Sequence, residues 1–299
     1  MFHRSTWLHL RIPFSFFLLP VFLFAVAVSP NLNPQRLLIV FAVLHIFLYP
    51  ASNSYNSYFD KDEKSIGGLR NPPAVKRELY YVSLFFDLIA ILLALLVSPL
   101  FAAMVFIYGL VSKAYSHPAV RLKKYPWLSW FIAGLFQGMF TFLMAYSGIN
   151  DFGLAVLFKI NVLIPAFLSS LILWGSYPMT QVYQHEEDGA RGDRTLSIVL
   201  GIRGTFHFTA ICFSLGMASF ILFFQQFYRM KYAWAFLIAL LPVLIFFITW
   251  YLKVRADESR ADYSRTMWLN FLSALCLNAF FIYFFLDHTQ VLQAIRAGY

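Results

Sequence analysis

An amide and a carboxylate four residues apart occur twice in this chain, each time in the same setting. The first copy runs Tyr49-Pro50-Ala51-Ser52-Asn53-Ser54-Tyr55-Asn56-Ser57-Tyr58-Phe59-Asp60. The second runs Tyr177-Pro178-Met179-Thr180-Gln181-Val182-Tyr183-Gln184-His185-Glu186-Glu187-Asp188. On a helix this spacing puts Asn56 with Asp60, and Gln184 with Asp188, on one face. Glu63 extends the first face and Asp62 flanks it, while Glu186 and Glu187 adjoin Asp188. Hard oxygen groups of this kind suit Mg2+, which is held by one or two carboxylates and completed by phosphate oxygens and water. Carboxylates alone would repel a phosphate, so the chemistry also needs cations. Arg70, Lys123, Lys124, Arg191 and Arg194 are the nearby candidates.

The elements that must position these residues are membrane helices. The chain is 60% hydrophobic and only 12% charged, with 35 Phe among 299 residues, far more apolar than a soluble domain. A span takes roughly 20 helical residues. Apolar windows near 12–29, 37–53, 81–98, 100–113, 127–147, 154–176, 206–227, 233–252 and 267–286 predict nine transmembrane helices in an all-α integral membrane protein. Most of the 23 Lys and Arg fall in the loops that face inward if the N-terminus is inside, as the positive-inside rule requires. Arg36, Lys159, Arg229, Lys231 and Arg296 are left on the other side. The chain is thereby placed in a bacterial inner (cytoplasmic) membrane, N-terminus inside and C-terminus outside. The net charge of +9 suits an anionic leaflet; no basic stripe with interleaved aromatics points to nucleic acid.

Arg4 and Arg11 before the first apolar run imitate a signal peptide, but the charge pattern favours an uncleaved first helix bent at Pro20. The two copies of the repeat close the second and sixth helices, so both point the same way and imply a parallel repeat around a central cavity. One domain over 1–299 follows, capped by cytoplasmic loops at about 54–79 and 179–205. Pro50 and Pro178 each remove a backbone donor within helical pattern, a break tolerated at membrane depth where the backbone lines a cavity or is buried. Tyr55 and Tyr183 read as interface residues as readily as substrate contacts, and His45 as a core histidine. Asp87, an acid inside the third helix, is either functional or paired to a neighbouring helix. Lys113 and Lys159 are expected to snorkel to the interfaces, and Cys212 and Cys276 to be packing residues.

At these motifs the chain resembles the UbiA superfamily of intramembrane prenyltransferases. The family's Asn-Asp-x-x-Asp-x-x-x-Asp segment is matched by Asn56, Ser57 in place of the first Asp, Asp60, and Lys64 in place of the last. Its Asp-x-x-x-Asp segment is matched by Gln184 to Asp188, followed by Arg191-Gly192-Asp193-Arg194-Thr195-Leu196. Tyr115-Ser116-His117-Pro118-Ala119-Val120-Arg121-Leu122-Lys123 is similar to the family's Tyr-Ser-x-x-x-x-Arg-Leu-Lys segment.

The resemblance implies a UbiA-like fold and Mg2+-assisted loss of diphosphate from an isoprenoid donor, followed by prenyl transfer to a small, lipophilic, aromatic acceptor. It assigns catalysis to Asp60 and Asp188 and metal binding to these two with Glu63 and Glu187. Substrate binding falls to Asn56, Gln184, Tyr115, Lys123, Arg70, Arg191 and Arg194. The alternatives are a secondary transporter and a catalytically silent isoprenoid-binding protein; acids at the inner surface rather than the midplane favour the enzyme. Asp60 and Asp188 are expected to share one polar cavity. Asp193, outside the repeat, is expected to matter less, and neutralising Lys123 or Arg191 to leave stability nearly unchanged.

Overall fold

The structure, a computed structural model, describes residues 3–289; Arg296, and with it the outer placing of the C-terminus, lies outside them. Eight helices among the described residues are long and apolar enough to cross a membrane, and a ninth span is completed by a bent pair at the N-terminus. In chain order these are α1 (Arg4–Phe17 with Leu19–Ala27), α2 (Pro34–Asp60), α3 (Glu78–Leu95), α4 (Pro99–Ser116), α5 (Pro126–Asn150), α6 (Ile160–Gln181), α7 (Leu196–Phe227), α8 (Met230–Ala256) and α9 (Tyr263–His288). All nine overlap the apolar windows. The bend in α1 is 43° and falls at Leu18, two residues before the Pro20 expected to cause it.

Local chemistry sets where the helices begin. Asn33 accepts from the backbone N–H of Gln35 and Arg36, and Pro34 fills the first helical position of α2, where its missing donor costs nothing. Ser98 and Pro99 start α4 in the same way, and Asp262 caps α9. Successive helices pack side by side, with α9 closing against α1 and α5 also packing on α1. The faces so buried are aromatic: Phe24 stacks on Phe281, and Phe220 on Phe236.

Two widened π-turns interrupt the helices around the cavity. Residues 42–48 take this form immediately before Pro50, so the donor that Pro50 lacks is absorbed by a looser turn and α2 continues through it. Residues 135–140 form the second, in α5. Ser170 of α6 repairs it, its hydroxyl donating to the Gly134 carbonyl at 2.9 Å and accepting from the Met139 N–H at 2.8 Å. Pro178 lies in a tight 3-10 turn, Tyr177–Gln181, at the end of α6. The two copies of the repeat therefore differ in backbone: the first is continuous helix to Asp60, and the second is a turn followed by a six-residue helix, His185–Ala190.

The loops expected at 54–79 and 179–205 are shorter, because α2 runs on to Asp60 and α7 starts at Leu196. They touch: Glu187 accepts from the Glu63 N–H at 2.8 Å, and Lys64 pairs with Glu186 at 2.7 Å. His45 is a buried core residue, stacked on Phe41 and edge-on to Tyr49. Lys113 corrects its snorkelling assignment: it turns inward, pairs with Asp87 and lies 5.2 Å over the Tyr55 ring. A lone Asp87 would be costly at that depth, so the partner helix supplies the cation.

The α5–α6 contact is as close as two backbones allow. A Cβ on Gly138 would meet the Ser170 Cα at 2.4 Å and its nitrogen at 2.5 Å. Gly138→Ala is expected to destabilise the protein by about 1–3 kcal/mol, the cost of overpacking, visible as a lowered thermal midpoint in detergent; an unchanged midpoint would contradict the packing.

Candidate functional site

Where α2, α4 and α6 end on one side of the bundle, four aspartates are buried: Asp60, Asp62, Asp188 and Asp193. Charge cannot be hidden from water without a partner, and three basic residues provide it. Lys123 is itself buried; it pairs with Asp60 and lies 3.0 Å from Asp193 Oδ2. Arg121 grips Asp193 with two parallel bonds of 2.8 Å from Nε and Nη2, the fork geometry that suits a guanidinium to a carboxylate. Arg191 reaches Asp62 through Nη1 and Asp188 Oδ1 at 2.6 Å through Nη2, and donates to the Asp60 carbonyl at 3.4 Å. One guanidinium thus touches both copies of the repeat.

The local sequence explains each position. The last turn of α2 carries Asn56 over Asp60, and the Asn56 amide donates to Asp60 Oδ2 and to Ser116 Oγ, both at 2.8 Å. Ser116 ends α4. Arg121 adopts a left-handed backbone (φ 44°), which turns the chain so that Arg121 and Lys123 both face the aspartates. Gln184 precedes the short helix, and its carbonyl accepts from the Asp188 N–H at 2.9 Å. At Gly192 the φ of 73° is one that glycine adopts without steric cost; it folds Asp193 back under Arg121.

The charges are unevenly settled. Burial pushes the Asp188 carboxyl up to about 6, against the pull of Arg191. Burial also opposes the charge on Asp193, but Arg121 and Lys123 override it and hold that carboxyl below its ordinary range. Four carboxylates face three cations, a residual negative charge that would not by itself receive a phosphate. Among the described residues no three His, Cys, Asp or Glu side chains converge as a ready-made metal cage. One carboxylate oxygen, Glu187 Oε2, is buried with no partner. All-oxygen donors with a surplus negative charge and an unpaired oxygen suit Mg2+ whose shell is completed by substrate phosphate and water, with one or two of Asp60, Asp188 and Glu187 as the side chains that would hold an ion.

Beneath the cluster lies a cavity of about 620 Å³. Its polar end is lined by Asn53, Asn56, Tyr115, Ser116, Tyr177 and Gln184, and its far end by Phe24, Phe220, Phe236 and Phe281. The Tyr115 and Tyr177 hydroxyls, from α4 and α6, hydrogen-bond to each other at the boundary. A small charged head at the cluster and an apolar tail among the rings would both find matching surroundings.

The structure brings together Asn56, Asp60, Lys123, Asp188 and Arg191, with Tyr115 and Gln184 on the cavity wall. It leaves Glu63, Arg70 and Arg194 exposed, their side chains outside the ion-pair cluster. Asp62, read from the sequence only as flanking the first face, belongs to the cluster, as do Arg121 and Asp193, which were assigned no site role. Asp193 follows Arg191 by two residues and Arg121 opens the Arg-Leu-Lys triplet, so the signal was their adjacency to assigned residues. Asp193, expected to matter less for turnover, is completely buried between Arg121 and Lys123, a position that bears on stability. The expectation that Lys123 and Arg191 could be neutralised without loss of stability is corrected, because each holds two buried carboxylates.

The UbiA prenyltransferase family model matches residues 17–284. Among solved structures, a UbiA homolog from Archaeoglobus fulgidus bound to GPP and Mg2+ is 16% identical, with a TM-score of 0.65 over 94% of this chain and 99% of that one. A UbiA homolog from Aeropyrum pernix K1 is 16% identical, with a TM-score of 0.66 over 92% and 97%. A digeranylgeranylglyceryl phosphate synthase is 21% identical, with a TM-score of 0.58 over 93% and 96%. At these identities the likeness is one of fold. No curated protein matches the chain.

A raised carboxyl binds its proton more tightly when folded, so Asp188 draws stability down as pH rises from its ordinary 3.8 to about 6. The change amounts to about 3 kcal/mol, at 1.36 kcal/mol per unit. Asp188→Asn is expected to remove that slope and to be at least as stable as the parent at pH 7.5, since Asp62 still holds Arg191. Asp193→Asn is expected to cost about 3 kcal/mol at the same pH, as breaking a buried pair does. Thermal unfolding between pH 4.5 and 7.5 checks both; the reverse order of stabilities would overturn this electrostatic assignment.

Proposed function

The chain belongs to the UbiA prenyltransferase family, and we propose that it transfers a prenyl group from an isoprenoid diphosphate to a small, lipophilic, aromatic acceptor at the Asp60–Asp188 cluster. The observation that carries this reading is the adjacency of a charge-compensated cluster to a largely apolar cavity, through Asn56, which lines the cavity and donates to Asp60. The tail of a prenyl diphosphate fits the Phe-lined end, and its head lies among Lys123, Arg121 and Arg191.

The chain's own residues account for binding and for stabilising the leaving group. Lys123 and Arg191 present several N–H donors each, of which the aspartates use only some, so phosphate oxygens can share them. Such fixed cations in a site that excludes water stabilise charge that develops as diphosphate departs. Mg2+, when bound by one or two of Asp60, Asp188 and Glu187, would supply further charge neutralisation on the phosphate oxygens. Asn56, held between Asp60 and Ser116, fixes the orientation of the Asp60 carboxylate. Tyr115 and Tyr177 place aromatic faces between head and tail, where an allylic cation would gain about 0.5–2 kcal/mol.

The excess of Lys and Arg in the loops on this side supports a cytoplasmic placing of the site, with the whole chain acting as one membrane domain. The carboxylates sit at helix ends and not at mid-span, which weighs against ion-coupled transport.

Asp60→Asn and Asp188→Asn are expected to lower Mg2+-dependent diphosphate release by at least about 100-fold, the scale of removing one group that stabilises the transition state. The measurement is diphosphate release from prenyl diphosphates by the purified protein in lipid, with the new lipid followed by mass spectrometry. Because Asp188→Asn is expected to stay folded, full turnover by that variant would remove the cluster from the reaction.

A further inference from the structure

The short helix His185–Ala190, which carries Glu187 and Asp188, is held from two sides, and the two holds differ in kind. Toward α2 and the cluster its contacts involve charged groups. Glu186 pairs with Lys64 at 2.7 Å, Glu187 accepts from the Glu63 N–H at 2.8 Å, and Asp188 pairs with Arg191 at 2.6 Å. Toward α7 the hold is His185, whose Nε2 lies 2.7 Å from the Ser197 hydroxyl oxygen. Among the described residues no other side-chain hydrogen bond joins this helix to α7.

The His185 contact continues into α7. Ser197 and Thr205 are fully buried, with their hydroxyl oxygens 3.1 Å apart. Thr205 Oγ1 also lies 2.8 Å from the Gly201 carbonyl and 3.3 Å from that of Ser197. Each hydroxyl has one proton and a carbonyl can only accept, which orders the chain. Thr205 donates to the backbone, Ser197 donates to Thr205, and His185 donates through its Nε2–H to Ser197. Gly201 is where α7 breaks, with φ 68° and ψ 170° inside an otherwise helical run, a conformation that glycine takes without steric cost. Three pieces are thereby joined: the carboxylate-bearing helix, the first turn of α7 before the break, and the long remainder, whose Ala210, Phe213 and Phe220 line the cavity.

The two holds respond differently to a ligand. Mg2+ and a diphosphate head engage Glu187, Asp188 and Arg191, so the contacts among these groups are shared or given up as the head arrives. The chain from His185 to Gly201 includes no member of the cluster and offers nothing that the head takes, so it stays intact. We propose that His185 is a positioning residue for Glu187 and Asp188: its bond to Ser197 keeps their helix seated on α7 while the charged contacts are released to the Mg2+–diphosphate head. The inference rests on the prenyltransferase reading and adds to it a residue that acts through the helix it anchors.

The test uses the full chain in detergent and follows binding of a non-hydrolysable prenyl thiodiphosphate as Mg2+ is raised. No binding by the parent at any Mg2+ concentration would overturn the prenyltransferase reading itself, before any variant is made. His185→Ala and Ser197→Ala are each expected to raise the Mg2+ concentration for half-maximal binding about tenfold, the scale of losing a partner that orients metal ligands. Affinity for the prenyl alcohol, which has the tail without the head, is expected to change less than about twofold. His185→Gln keeps an N–H donor at similar reach and is expected to stay within about threefold of the parent. The double variant is expected to lose no more than either single one, because both remove the same bond. Ser197→Ala deletes one oxygen and keeps the packing, so it decides the matter should His185→Ala fail to fold. A merely structural His185 would lower the thermal midpoint and leave the Mg2+ dependence of the folded variants unchanged, which would overturn the proposal. Losses that add in the double variant would overturn it as well.

Discussion

Four aspartates buried at one end of an apolar bundle have to be neutralised, and the arrangement of this protein follows from how that is done. An unpaired carboxylate there would cost several kcal/mol, so the chain delivers three cations from two separate segments, 117–125 and 191–194, onto the ends of α2 and α6. Arg191 is the junction, since it contacts Asp62 and Asp188 directly and the Asp60 backbone as well. Both inter-helical segments adopt unusual backbone angles, at Arg121 and at Gly192, to make these contacts.

The same compensation prepares the site for a charged substrate. A cluster of carboxylates alone would reject a diphosphate, and cations alone would not hold a divalent ion. Here the two signs are interleaved and close to balanced, with a small negative surplus. A diphosphate head accompanied by Mg2+ can share the N–H donors of Lys123 and Arg191 and the oxygens of Asp60 and Asp188 without leaving a large uncompensated charge. The aromatic cavity beneath is the other half of the arrangement. Phe24, Phe220, Phe236 and Phe281 pack the bundle on one side and face the cavity on the other, so the residues that hold the helices together also surround an apolar tail.

Much of this was legible in the sequence because hydrophobic runs and four-residue spacings are local properties. The nine spans, Asn56 beside Asp60, and the grouping of Lys123 with Arg191 follow from such patterns. What spacing could not show was pairing across the chain. Asp193 looked peripheral because it lies outside the repeat, yet Arg121, 72 residues away, encloses it. Lys113 looked like a snorkelling residue because its partner Asp87 lies on another helix. Glu63, Arg70 and Arg194 had the right charge near the right motifs, but helix α2 ends at Asp60 and turns left-handed at Lys61 (φ 50°), so the face that Glu63 would have extended is cut off. The second copy of the repeat also changed shape, with Pro178 in a tight turn where Pro50 lies in continuous helix.

The central claim is that the interleaved cluster recognises a diphosphate head. Equilibrium titration of the parent protein in detergent, comparing a prenyl thiodiphosphate with the corresponding prenyl alcohol in Mg2+, tests it most directly, because the two ligands share the tail and differ only at the head. The expected result is at least about 100-fold tighter binding of the thiodiphosphate, about 2.7 kcal/mol, weakening when Mg2+ is chelated. Equal affinities for the two ligands would contradict it.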